Sequence, residues 1–509
     1  MKNNFNELWK SLPWKKFRKE LLRLQTRLFK ATKVGDKRKI RSLQKLILKS
    51  RAARLLAIRQ VTQLNQGRKT AGVDGKASLT FKERVELSEM LRTNWMKWKH
   101  QPLREVSIPK KDGTTRGLKI PTIPDRAWQC LLKYAIEPAH EALFHERSYG
   151  FRPGRSTHDC QKIIFLNLRS SLNGIDKRVI SLDIEKCFDR IDHNALMKRV
   201  IAPQSIKQGL WGCLKAGTTA PGYPSKAGTT TEGTPQGGVI SPLLANIALD
   251  GIENIHKSVR YADDMVFILK PGDSEETILS RVSEFLAERG LNISEKKTKI
   301  SRSTDGFDFL GWHFYVQSNN GKFRCVPSVD NFKAFQKKVK DLVTNSCYGA
   351  KTKAMKLAPI VRGWRNYHKF CKMDGGRFSL WHLSYATFKR FLKEKTMNRY
   401  EAERLVKQAF PSVSYSENKF VNVKGNKSPH DGDLTYWSQR NSKLYDSATA
   451  KALKKQDHRC GHCNLKLLSE ERTHVHHVDG NHDNWKPKNL LAIHQSCHQY
   501  IHMSKPGKG

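Results

Sequence analysis

Tyr261-Ala262-Asp263-Asp264 sits between Val259-Arg260 and the apolar run Met265-Val266-Phe267-Ile268-Leu269. Two apolar arms around a short acidic connection predict a β-hairpin with its carboxylates at the tip. Upstream, Val179-Ile180-Ser181-Leu182-Asp183-Ile184 reads as another apolar strand that ends on an aspartate. Phosphoryl transfer with two metal ions needs carboxylates from separate strands to converge, because ions roughly 4 Å apart must touch both the attacking and the leaving oxygen. Asp183, Asp263 and Asp264 are therefore candidate catalytic residues and Mg²⁺ ligands. Taken singly, each is an ordinary turn aspartate; the pairing of the two strands is what points to a site.

The charge balance agrees. Lys and Arg number 93 against 47 Asp and Glu, a net +46 over 509 residues. A surface this basic repels itself unless a polyanion neutralises it, so nucleic acid is the expected partner. The length exceeds one compact core and predicts several domains. Residues 1–75 read as a basic N-terminal extension, with 21 Lys/Arg against 3 Asp/Glu in the first 70 positions. Leu21, Leu24 and Leu28, then Leu55, Ile58 and Val61, fall at helical spacing there, and Trp9 and Trp14 among the cations suggest phosphate contact. Residues 76–325 alternate apolar runs with helical stretches, an α+β pattern, and 326–410 return to helical periodicity. Residues 411–445 are turn-rich and read as a linker or DNA-binding segment, and 446–509 form a Cys/His-rich unit. No apolar stretch of about 18 residues and no secretory signal is present, so a soluble protein without a membrane partner is expected.

Smaller patterns carry further chemistry. Lys110-Lys111-Asp112-Gly113 is a hairpin-turn sequence, and Arg104, Lys110 and Arg116 around it supply cations able to close over a triphosphate. Gly237-Gly238 permits close backbone approach to template and nucleotide, with Gln236 as a hydrogen-bonding neighbour. Trp364, Tyr367 and Phe370 recur every three residues and read as core-facing rings, which leaves Arg362, Arg365 and Lys369 for RNA. Of ten cysteines, only Cys460, Cys463 and Cys497 form a pattern. With His494 they make two pairs suited to one tetrahedral Zn²⁺ in a reducing compartment.

Thr70-Ala71-Gly72-Val73-Asp74-Gly75, Ile108-Pro109-Lys110, Ile120-Pro121-Thr122-Ile123-Pro124-Asp125-Arg126, Ser148-Tyr149-Gly150-Phe151-Arg152-Pro153-Gly154, Thr234-Pro235-Gln236-Gly237-Gly238 and the Tyr261 tetrapeptide occur in that order. The series resembles the sequential blocks of group II intron reverse transcriptases and spans nearly the whole chain. The resemblance implies an α+β right-hand polymerase with fingers, palm and a helical thumb or maturase X domain, with the three aspartates as its catalytic carboxylates. It also implies Arg104, Lys110, Arg116, Phe188, Gln236 and Lys297 at the incoming dNTP, Phe188 lying under the sugar where a ribose 2′-OH would collide. Phe309-Leu310-Gly311-Trp312 resembles the primer-positioning turn.

The C-terminal unit looks like an HNH, or ββα-metal, nuclease. That likeness implies His476, His498 and His502 as ligands of Mg²⁺ or another divalent ion, His477 as general base and Asn489 as the residue that orients it. The three histidines fit a second structural zinc as an alternative. The expected partners are group II intron RNA, target DNA, an RNA template with a DNA primer, and dNTPs. The expected place is the bacterial cytoplasm, nucleoid-associated on DNA, with an organellar origin also compatible. A splicing factor without catalysis, another group-II-like reverse transcriptase and a DNA endonuclease with a structural body remain as rival readings.

Overall fold

The computed structural model describes residues 9–503 apart from 10, 110–112, 114, 220–226, 229, 374–376, 395–396, 443–444, 446, 468–472 and 482–483. Three helices open the chain, Trp14–Lys33, Lys37–Lys49 and Arg51–Arg59; Asp36 and Ser50 cap the second and third by accepting from Lys39 N–H and Ala53 N–H. Their apolar stripes, including Leu21, Leu24, Leu28, Leu55, Ile58 and Val61, are buried in one core with helix Ile123–Glu141. The extension thus shares one core with the body of the chain. Trp9 and Trp14 differ from expectation: both are buried, their rings 5.2 Å apart, and the buried Arg59 guanidinium lies 4.4 Å from the Trp14 ring. The helical stripe demanded apolar bulk, and the rings supply it.

The first sheet runs β2-β1-β4-β5, from β1 (Leu103–Pro109), β2 (Thr115–Ile120), β4 (Thr218–Thr219) and β5 (Ala227–Gly228). β1 and β2 are antiparallel, with Arg104 opposite Ile120 and Ile108 opposite Arg116, as the turn sequence predicts. The second sheet runs β6-β7-β3-β8, from β3 (Arg178–Leu182), β6 (Ser258–Tyr261), β7 (Asp264–Leu269) and β8 (Lys299–Arg302). The third holds β9 (Phe307–Phe309), β10 (Trp312–Val316) and β11 (Phe323–Pro327). Leu310 and Gly311, both at positive φ, make the tight turn between β9 and β10.

Helices Val329–Thr344, Ala350–Tyr367, Trp381–Phe391 and Arg399–Ala409 share a separate core. Trp364 stacks on Phe335 with centroids 4.6 Å apart, and Tyr367 stacks on Trp312 at 4.5 Å, so those rings are core as expected. Arg365 departs from expectation: it donates to the carbonyls of Phe410 and Pro411, satisfying backbone acceptors just after helix Arg399–Ala409.

The segment 411–445 is not a free tether where it is described. Trp437 is wholly buried, and Arg440 holds Asp159 through bonds of 2.8 and 2.9 Å, with Val423 N–H also donating to that carboxylate. A buried carboxylate requires such partners, and no turn-residue pattern reveals a partner 281 positions away. The last unit pairs β12 (Thr473–His477) with β13 (Leu490–His494), antiparallel, followed by helix Gln495–Met503. Among the described residues no helix is long and apolar enough to cross a membrane.

Candidate polymerase and metal sites

β6 and β7 close on the pair Tyr261 and Asp264, which leaves Ala262 and Asp263 as the turn. Ala262 adopts φ +60°, a left-handed conformation that a two-residue hairpin requires and that costs a residue with a Cβ. The surroundings over-determine it. Arg260 is wholly buried, ion-paired with buried Glu253 at 2.6 Å. Its other nitrogens donate to Asn246 Oδ1 at 3.0 Å, to the Ala262 carbonyl at 3.1 Å and to Ser148 Oγ at 2.8 Å. One guanidinium therefore fixes the acidic turn to two other segments. Arg152 performs a parallel task, held by Glu141 through bonds of 2.9 and 3.0 Å while it donates to the Ser148 carbonyl. Gly150 lies so close that a Cβ there would stand 2.1 Å from Ala262 N. These contacts explain the Ser148–Gly154 block as a clamp on the hairpin.

Asp183 follows the end of β3, whose last residue Leu182 pairs with Met265 of β7. The three aspartates are thus brought to one end of the sheet. Asp264 feels the other two: desolvation first, then Asp263 and Asp183, pushes its carboxyl up to about 6, with Lys297 opposing. Mutual repulsion of this kind is what a divalent cation relieves, and all-oxygen donors suit Mg²⁺. Lys297 Nζ lies 3.7 Å from Asp183 Oδ1 and is largely exposed. Phe188, buried, meets half-exposed Phe151 edge-on at 6.3 Å. Gln236 Nε2 lies 3.4 Å from Asp189 Oδ2, and its carbonyl accepts from Lys119 N–H at 2.7 Å. Gly237, at φ +121°, approaches the Lys119 carbonyl where a Cβ would stand 2.7 Å from it. Arg104 lies in β1; Lys110 and the side chain of Arg116 are outside the described residues.

Cys460, Cys463, His494 and Cys497 present ligand atoms all within 4.8 Å of one another. His494 Nδ1 stands 3.3 Å from Cys463 Sγ and 3.8 Å from Cys497 Sγ. A tetrahedron built on Zn–S of about 2.3 Å and Zn–N of about 2.0 Å has edges near these lengths. Hydrogen bonds from the Cys463 and Cys497 thiols pull the Cys460 thiol far below its ordinary value, which favours thiolate. The sequence reading missed Arg18, whose guanidinium reaches Cys463 Sγ at 3.4 Å, Cys497 Sγ at 3.8 Å and Ser496 Oγ at 3.1 Å. Arg59 adds a bond to the Ser496 carbonyl at 3.3 Å. A Zn²⁺ held there by three thiolates and a neutral imidazole would carry one net negative charge, and Arg18 stands beside it. Nothing in local sequence links a residue of the first helix to cysteines some 445 positions later.

His476, His498 and His502 form a second group within 4.8 Å, with His502 Nε2 and His498 Nε2 3.3 Å apart. His477 is buried beside Trp485, ring centroids 5.0 Å apart. Asn489 braces the loop that follows His477. Its Oδ1 accepts from Asp479 N–H at 3.0 Å and its Nδ2 donates to the Asn484 carbonyl at 2.8 Å, so it shapes the loop that follows the histidine.

Known proteins place these geometries. Residues 9–91 match the N-terminal domain of reverse transcriptase, 108–314 the reverse transcriptase (RNA-dependent DNA polymerase) family, and 332–409 the group II intron, maturase-specific domain. The chain is 39% identical over 398 residues to maturase-like protein 1 of Euglena gracilis, spanning 78% of this chain and 85% of that protein. It belongs to the group II intron reverse transcriptase/maturase family. Two other proteins are similar over shorter stretches. Protein YkfC of Escherichia coli is 33% identical over 323 residues, 54% of this chain and 84% of that one. The group II intron-encoded protein LtrA of Lactococcus lactis is 37% identical over 157 residues, 30% of this maturase-family chain and 25% of that protein. The clamped hairpin and the sheet carrying Asp183 lie inside the reverse transcriptase match, and the four-helix core coincides with the maturase match.

Proposed function

We propose that this protein is an active RNA-directed DNA polymerase that binds group II intron RNA and assists its splicing. It supports intron mobility by target-primed reverse transcription, with its Cys/His unit acting as an HNH nuclease on one DNA strand. The observation that carries the polymerase reading is the convergence of Asp183, Asp263 and Asp264 at one end of the sheet, where desolvation first, then Asp263 and Asp183, raise the Asp264 carboxyl.

Asp183, Asp263 and Asp264 are the proposed ligands of Mg²⁺, which supplies nucleophile activation and charge neutralisation when bound. The chain's own contribution is positional. Arg260 and Gly150 hold the hairpin, Lys297 lies beside Asp183 to meet triphosphate charge, and Arg104, Lys110 and Arg116 supply further cations. Phe188 and Gln236 face the sugar and base side of the incoming dNTP in this reading. In the C-terminal unit Cys460, Cys463, His494 and Cys497 hold a structural Zn²⁺, while His476, His498 and His502 hold the ion of the nuclease and His477 takes the proton of the attacking water. The domains follow as an N-terminal extension to about 75, fingers and palm to about 325, thumb and X domain to about 410, and the nuclease unit from about 446.

The direct test supplies the purified protein with a primed RNA template, dNTPs and Mg²⁺. Templated extension of the DNA primer, abolished in Asp183→Asn, is the expected result. No extension by the wild-type protein over a range of templates would leave a maturase without synthesis.

A further inference from the structure

Helix Trp381–Phe391 in the maturase domain buries Leu383, Thr387 and Phe391. The opposite face carries large aromatic rings into solvent: Trp381 is 59% and Tyr385 is 44% exposed. One turn apart, the two rings stack with centroids 5.2 Å apart and planes within 6°. Lys389, a turn further on, sets its ammonium 4.7 Å from the Tyr385 centroid, and the His382 ring meets Trp381 edge-on at 4.9 Å. Arg390 is also exposed, and the helix contains no Asp or Glu. The core of this domain is complete without Trp381 and Tyr385, whose bulk is left in water.

The chemistry of the face selects its occupant. Within the helix the exposed positions are Trp381, His382, Tyr385, Ala386, Lys389 and Arg390. No acidic residue and no aliphatic larger than alanine stands among them, so the face offers flat rings and cations. Flat rings already presented in parallel, with cations alongside, match the two parts of an unpaired nucleotide: base on ring, phosphate on cation. The net charge of +46 favours the same polyanion.

We propose that Trp381 and Tyr385 form a stacking platform for unpaired nucleotides of the bound RNA, with Lys389 and Arg390 taking the adjoining phosphates. The proposal rests on the RNA-binding reading above and adds which part of an RNA this helix takes. Full-length protein with a primer–template already in its cleft is titrated with labelled oligouridine and with a blunt RNA duplex of equal phosphate number. Trp381→Ala should weaken oligouridine binding roughly 5- to 100-fold, the worth of one stacked base. It should leave duplex affinity, the salt slope and primer extension unchanged, and Trp381→Phe should restore most of the loss. Lys389→Gln should instead lower the salt slope by about 0.7. Equal oligouridine affinity for wild type and Trp381→Ala overturns the platform while RNA binding elsewhere stands. Failure of the wild-type protein to bind either RNA overturns both. Loss of self-association in Trp381→Ala with unchanged oligouridine affinity assigns the face to a second copy and overturns the proposal.

Discussion

Gly150→Ala adds one methyl group at the back of the catalytic turn. The new Cβ would stand 2.1 Å from Ala262 N, 2.7 Å from Tyr261 C and 2.9 Å from Ala262 Cα. All three are backbone atoms, so no side-chain rotation relieves the clash. Ordinary carbon contact begins at about 3.4 Å, so the two segments must part by more than about 1 Å. They are tied on both sides, by Arg260 to Ser148 and by Asn246 Nδ2 to the Gly150 carbonyl at 2.8 Å, so the displacement falls on Ala262 and Asp263. A 1 Å misplacement of a reacting constellation costs on the order of 10²-fold in rate, and overpacking of this kind costs about 1–3 kcal/mol in stability. Single-nucleotide extension on a primed RNA should therefore fall about 10²-fold, while thermal melting stays cooperative and RNA affinity is unchanged. Extension within about threefold of wild type would refute the argument that Gly150 sets the position of the turn.

Phe188→Ala should raise ribonucleotide incorporation relative to dNTP, read from single-nucleotide insertion kinetics. An unchanged ratio would mark Phe188 as packing against Phe151 alone. Asp264→Asn should raise the Tm of the metal-free protein near neutral pH. A carboxyl whose folded value is raised to about 6 is favoured protonated in the fold, and that advantage is lost as pH rises from the ordinary carboxylate range through 6. The difference between variant and wild type should thus vanish in acid, and a Tm difference of opposite sign would contradict the crowding. Cys460→Ser should lose zinc and unfold the residues beyond about 450, because a unit this small depends on its metal. His477→Ala should keep both zinc and fold while losing strand nicking; metal analysis and a nicking assay on the two variants separate these roles, and zinc loss in His477→Ala would make that histidine a structural ligand.

The parts of the fold legible in the sequence are those with a local period or a local turn. The acidic hairpin, the β1–β2 hairpin and the helical stripe of Leu21, Leu24 and Leu28 follow from alternation, from turn residues and from 3.6-residue spacing. The paired Cys/His spacing likewise specified a cluster that the chain does assemble. What stayed hidden depends on partners distant in sequence. Arg260 looks like one more cation of a basic chain, yet it is buried at the centre of the turn. Trp9 and Trp14 have the same local signature as Trp381, and burial alone separates core rings from an exposed platform. Arg440 and Asp159 turn an apparent linker into a packed strap, a pairing that no period encodes.

The central claim is that Asp263, Asp264 and Asp183 perform DNA synthesis while RNA is held by other residues. Asp263→Ala, assayed for Mg²⁺-dependent cDNA extension and for intron RNA affinity on the same preparation, tests it most directly. Extension should be abolished and affinity nearly unchanged, because metal ligation and phosphate pairing use different residues. Robust Mg²⁺-dependent extension by Asp263→Ala would contradict it.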